Sequence, residues 1–259
     1  MAAELLSEHL GHTLILTLCD PDNRNALGPE LYAAGLQAVV SAAQDDTVRS
    51  LILTGAGPWF CAGGNLRRLQ ANRERPESVQ SASIQSLNRW IQALRQCGKP
   101  VIAAVEGAAA GAGFSLALAC DLIVAAQDAQ FVMAYSNIAL SPDGGASWHL
   151  GRALPRQRAT EILMLGERLS AEALHGLGLV NRLTAPGDSL TVAKALAEQL
   201  NQRAPNALAS IKHLLGAASS QPLDDQMARE CEHFVRNLHH DNGGAGIQAF
   251  LTKTTAKYL

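Results

Sequence analysis

The sequence has no apolar run approaching the roughly 18 residues that a membrane-crossing helix needs, which speaks against an integral helical membrane protein. It has no surplus of either charge: 21 Lys and Arg stand against 23 Asp and Glu, a formal net charge of −2. That balance argues against binding nucleic acid or an anionic membrane by bulk charge. It has no Cys-x-x-Cys pair. Its five cysteines lie scattered at 19, 61, 97, 120 and 231, the pattern of reduced thiols in a cytoplasmic protein. Met1 to His12 carries Glu4, Glu8 and His9 without a basic flank, so it is not expected to be a signal peptide. The final Lys257-Tyr258-Leu259 is not a peroxisomal tripeptide. Low-complexity segments and sharp internal repeats are also missing.

What is present is a globular composition, 47% hydrophobic and 17% charged over 259 residues, enough for one large domain or two small ones. Short apolar runs at 14–18, 51–54, 101–105, 122–124 and 131–133 predict strands. Helical patterns cover 29–44 and 84–97, then 156–166, 170–176, 189–203, 206–218, 223–239 and 246–257. Residues 67–80 are polar and contain Pro76, which reads as a loop or a loosely held helix. Buried strands alternating with helices predict an α/β protein with a mostly parallel sheet. The expected division is a core over 1–199 and a helical tail over 200–259. Apolar residues on that tail, such as Phe234, Phe250 and Leu251, can pack on the chain's own core or on a partner subunit.

Two glycine-rich loops each follow a strand: Phe60-Cys61-Ala62-Gly63-Gly64-Asn65-Leu66 and Glu106-Gly107-Ala108-Ala109-Ala110-Gly111-Ala112-Gly113-Phe114. Small residues let backbone approach a ligand, and a loop that opens a helix points free N–H groups outward. Two such groups converging on one carbonyl oxygen form an oxyanion hole. The same glycines also suit plain strand–helix turns. A dinucleotide fingerprint fails because Leu116 stands where the third glycine belongs. Gly113-Phe114-Ser115-Leu116-Ala117 is one residue short of a nucleophile elbow, and His149, His175 and His213 lack a supporting motif. His239-His240-Asp241 reads as an exposed helix end, and no metal site is expected.

The segments Asn23-Arg24-Asn25-Ala26-Leu27, Phe60 through Leu66, Lys99-Pro100-Val101-Ile102-Ala103-Ala104-Val105-Glu106-Gly107, Ala110 through Gly113, Cys120-Asp121, Ser141-Pro142-Asp143-Gly144-Gly145 and Gly246 through Leu251 follow in a characteristic order. Together they resemble the crotonase, or enoyl-CoA hydratase/isomerase, superfamily over nearly the whole chain. The resemblance implies a spiral of ββα units with a helical C-terminal region that builds a homotrimer or a dimer of trimers. It implies an acyl-CoA substrate whose thioester carbonyl sits between the N–H groups of Ala62 and Ala112. It further implies coenzyme A contacts at Arg24, Ala62, Gly64, Asn65, Leu66 and Lys253, and an acyl pocket at Phe114, Tyr135 and Trp148. No cofactor is implied beyond coenzyme A in the substrate thioester.

Hydratases of that superfamily hold water between two carboxylates. Here the matching positions are Ser115 and Tyr135, both poor bases at neutral pH. One acid remains on a matching catalytic position, Asp143. The resemblance therefore points to a Δ3-to-Δ2 enoyl-CoA isomerase with a single acid/base. An aryl-CoA dehalogenase using Asp143 as nucleophile, an acyl-CoA thioesterase and a non-catalytic acyl-CoA binder are the alternatives.

Overall fold

The apolar runs named above fall on strands because both faces of the sheet are covered. The computed structural model describes residues 3–259; Met1 and Ala2 of the N-terminal stretch lie outside them. A hairpin of β1 (Glu4–Leu10) and β2 (Thr13–Cys19) opens the chain. Helix α1 (Pro29–Gln44) leads to β3 (Ser50–Gly55), and α2 (Leu66–Asn72) and α3 (Glu77–Gln96) lead to β4 (Val101–Val105). There follow β5 (Ala108–Ala110), α4 (Ala112–Ala119), β6 (Leu122–Ala126) and β7 (Gln130–Val132). Next come α5 (Ala146–Ala153), α6 (Arg156–Leu165), β8 (Arg168–Ser170), α7 (Ala171–Gly176) and β9 (Arg182–Thr184). Four helices close the chain: α8 (Ser189–Asn201), α9 (Pro205–Ala218), α10 (Leu223–Leu238) and α11 (Asp241–Thr252).

The larger sheet has the order β1-β2-β3-β4-β6-β9 and is parallel from β2 onward. A second sheet joins β5, β7 and β8. Thus β4 continues into β5, and β6 into β7, of the other sheet. Alternation along the strands assigns each residue to a face. Leu14, Leu16, Leu51, Leu53, Val101 and Ala103 face the main core. Ile15, Ile52, Ile102 and Val124 face the other way, onto Ala193, Leu196 and Ala197 of α8. Both sets are buried, so the strands read as continuous apolar runs. On the main side, α1 meets α3 at Gly35, where an added Cβ would lie 2.2 Å from the Trp90 ring.

Several elements depart from the expectation. Residues 67–80 are helical on either side of a turn at 73–76: they complete α2 and begin α3, tied by Asn72 Nδ2 donating to Gln80 Oε1 at 2.7 Å. Strand β1 is an exposed edge without an apolar pattern, and β8 and β9 have three residues each. The division expected at residue 199 falls inside α8, which packs on the sheet and ends at Asn201. The last helix starts at Asp241, not 246, because the His240 ring accepts from Asn242 N at 3.0 Å and caps it. It stops at Lys253, whose φ of 55° ends the helical path. Part of the tail does return to the core, as Lys212 Nζ of α9 donates to Asp121 Oδ2 at 2.7 Å and to Leu94 O at 2.8 Å. Phe234, Phe250 and Leu251 remain outside, 70%, 85% and 71% exposed. Among the described residues, no helix is long and apolar enough to cross a membrane.

Candidate active site

The two glycine-rich loops touch backbone to backbone. Cys61 N donates to Ala108 O, and Ala110 N to Cys61 O, each at 2.9 Å. Gly63 has φ 86°, and a Cβ there would lie 2.4 Å from Ala110 O and 3.4 Å from Ala112 N. A Cβ on Gly113 would lie 2.5 Å from Cys61 O. The glycines are therefore required by the approach of one loop to the other, beyond any turn.

Hydrogen bonds from the first loop to Arg24 and Leu27 decide which of its N–H groups are free. Ala62 N donates to Arg24 O at 3.0 Å, so the donor expected from the first loop is already used. Leu27 brackets the next residues: its N–H donates to Gly63 O at 2.7 Å, and Asn65 N donates back to Leu27 O at 3.4 Å. Between these two bonds the N–H of Gly64 has no acceptor among the described residues. Ala112 is the first residue of α4, where backbone N–H groups lack helical partners, and it too has none. Gly64 and Ala112 both line one cavity of about 1040 Å³. The free pair is therefore Gly64 and Ala112, a correction of two residues in the first loop.

Asp143 lines the same cavity. It stands in a turn fixed by Gly144 at φ 59° and Gly145 at φ 79°. Gly145 is the N-cap of α5, so the Asp143 carboxylate does not cap the helix. Instead its Oδ1 accepts from Tyr135 Oη at 2.6 Å. Burial pushes the Asp143 carboxyl above the ordinary carboxylate range, against the opposing pull of the Tyr135 hydrogen bond. Burial, and then the Asp143 charge, push the Tyr135 phenol upward, so it stays a hydrogen-bond donor. Ser115 is fully buried and donates to Asp143 O at 3.0 Å and Gly111 O at 3.3 Å. It bonds to carbonyls and not to a histidine, which removes the nucleophile-elbow reading. His175 and His213 are occupied elsewhere, by Val180 O and by His233.

The remaining expected residues divide. Tyr135, Gly64 and Leu66 line the cavity. Phe114 does not: it is fully buried in the core, with its ring centroid 5.0 Å from that of Phe131. Trp148 does not either; it lies between the Arg95 and Arg152 guanidinium groups, each 4.1 Å from the ring centroid. Asn65 spends its side-chain carbonyl on the N-cap of α2, accepting from Arg68 N at 3.1 Å. Arg24 is exposed over the Trp59 ring, at 5.2 Å, next to the first loop but outside the cavity lining. Lys253 is exposed at the end of α11, also outside that lining.

Among the cavity residues unmarked in the sequence are Tyr32 of α1 and Arg68 of α2. The Tyr32 hydroxyl sits beside the Arg68 guanidinium and within range of the Asp143 charge. Burial dominates there and pushes the Tyr32 phenol up to about 12. Their one signal is adjacency to the first loop, and that signal is weak.

Comparison with known proteins gives the family of the chain. A family model described as enoyl-CoA hydratase/isomerase matches residues 11–259. A 1,2-epoxyphenylacetyl-CoA isomerase from Escherichia coli K12 is 35% identical over 246 residues, covering 95% of this chain and 94% of the relative. A carnitinyl-CoA dehydratase from Salmonella enteritidis PT4 is 33% identical, covering 94% and 93%. The crystal structure of an enoyl-CoA hydratase from Polaromonas sp. JS666 superposes with a TM-score of 0.98 at 60% identity, covering 99% of this chain and 100% of that one.

Proposed function

The chain belongs to the enoyl-CoA hydratase/isomerase family, and from that premise we propose that it moves a double bond of an enoyl-CoA from Δ3 to Δ2. The observation that carries this reading is the Asp143 carboxyl, held by Tyr135 at 2.6 Å in the cavity that the Gly64 and Ala112 N–H groups also line; Glu77, the other acid of the lining, is exposed at the start of α3. In this reading Asp143 removes a proton from C2 of the 3-enoyl thioester. The enolate oxygen accepts hydrogen bonds from the two backbone N–H groups, each such donor being worth about 3–4 kcal/mol. Asp143 then returns the proton to C4. A raised carboxyl suits a group that must both take and give a proton near neutral pH.

Ser115 and Tyr135 supply no carboxylate for water activation, which disfavours hydration and hydrolysis. The scheme uses no metal, flavin or nicotinamide; coenzyme A enters as part of the substrate. A homotrimer or dimer of trimers, working in the cytoplasm, belongs to the same proposal. It is supported by the exposed apolar residues of α10 and α11. Turnover in oxygen-18 water tests the chemistry: an isomerase yields unlabelled 2-enoyl-CoA, whereas a hydratase yields labelled 3-hydroxyacyl-CoA.

A further inference from the structure

The cavity contains a cation with unused hydrogen-bonding capacity. Arg68 projects from α2 into the lining. Its Nη1 donates to Ser83 Oγ at 2.8 Å. Its Nε is buried and finds no acceptor among the described residues. No carboxylate pairs with it among those residues either. A guanidinium keeps its charge, and a buried charged donor without an acceptor carries an uncompensated desolvation cost. A hydrocarbon lying against it would leave that cost in place. Nε itself is shut off from the cavity, so a ligand oxygen would meet the remaining Nη donors of the same guanidinium, a planar fork that a carboxylate matches.

The wall of the cavity is mostly apolar, but its charged groups favour an anion, with Arg73 and Arg75 exposed at the rim. Arg68, Arg73 and Arg75 line the cavity against two acids, Asp143 and Glu77. The Tyr32 hydroxyl beside Arg68 already engages the guanidinium and leaves it without a countercharge. We infer that Arg68 selects acyl-CoA thioesters whose acyl group carries an oxygen acceptor, a carboxylate above all, over plain hydrocarbon chains. This selectivity rests on the cavity being the acyl-CoA site and deepens that reading.

The test compares binding of hexanoyl-CoA with its terminal-carboxylate counterpart, adipoyl-CoA, by calorimetry. Both are saturated and have no double bond to move, so the readout is independent of the isomerase proposal. The wild type should bind adipoyl-CoA about tenfold or more tightly, the ratio that one hydrogen bond to a charged group supports. Arg68→Met should bring the ratio near one, and Arg68→Lys should keep part of it. Equal binding by the wild type overturns the inference without need of a variant. A preference that survives in Arg68→Met overturns it as well. Loss of isomerase turnover with the preference intact would sink the proposed reaction and leave this assignment standing.

Discussion

Tyr135 Oη donates to Asp143 Oδ1 at 2.6 Å, so the carboxyl that burial pushes upward is partly pulled back by a neighbour in its own cavity. The base is active when ionised, and activity must fall as the pH drops through its raised pKa. Tyr135→Phe removes the restoring hydrogen bond and keeps the burial. The acid limb of the pH profile of kcat/KM should then move to higher pH. Activity at pH 7 should fall about tenfold, the effect of one hydrogen bond to a charged group. An acid limb that stays in place would show that Tyr135 does not tune Asp143.

The same raised carboxyl carries a consequence for stability. A folded-state pKa above the unfolded value means that ionisation of Asp143 destabilises the fold. The deficit is absent below the unfolded pKa, about 3.9, and grows as pH rises past it. Asp143→Asn should therefore melt higher than the wild type at pH 7, and the difference should vanish towards pH 4. An asparagine carbonyl can still accept from Tyr135, so the comparison isolates the charge. Equal melting temperatures at both pH values would contradict the assignment.

Contact between the glycine loops has a steric signature. A Cβ at Gly63 would lie 2.4 Å from Ala110 O, on a backbone at φ 86°. Both partners are backbone, so nothing flexible can yield. Gly63→Ala should lower kcat by at least about a hundredfold, as loss of an oxyanion donor does. Acyl-CoA binding should weaken far less. Gly57→Ala supplies the control: its φ of 68° strains it similarly, but a Cβ there meets nothing within 4 Å. Similar kcat in the two variants would mean that the loop contact does not position the N–H groups.

Helices α10 and α11 leave Phe234 and Phe250 70% and 85% exposed. Exposed apolar residues grouped in this way mark an association surface. Light scattering should give a solution mass about three or six times the 27.4 kDa of one chain. The double variant Phe234→Asp, Phe250→Asp should shift it to the single-chain mass. A wild type already monomeric at micromolar concentration would refute the assembly.

Legibility in the sequence followed burial. Strands β2, β3 and β4 are apolar on both faces and stood out; β1 lies on an exposed edge and carries no pattern. Asp143 was legible from its motif, and Tyr135 from its position. The choice between Ala62 and Gly64 was not, because it depends on the Arg24 carbonyl and the two hydrogen bonds of Leu27, set by a distant turn. Arg68 reads as one more surface charge in Leu66-Arg67-Arg68-Leu69. Only the rotation of α2 exposes Arg67 and turns Arg68 to the cavity. Phe114 and Trp148 show the reverse error: an aromatic next to a motif can be taken up entirely by core packing or by arginine stacking.

The most direct measurement gives 3-enoyl-CoA to the purified protein and to Asp143→Asn, and follows appearance of the conjugated 2-enoyl-CoA. Wild-type turnover should fall by about 10²–10⁴ in the variant, the range that a positioned acid/base contributes. Undiminished turnover in Asp143→Asn, or none in the wild type, would contradict single-acid isomerisation at Asp143.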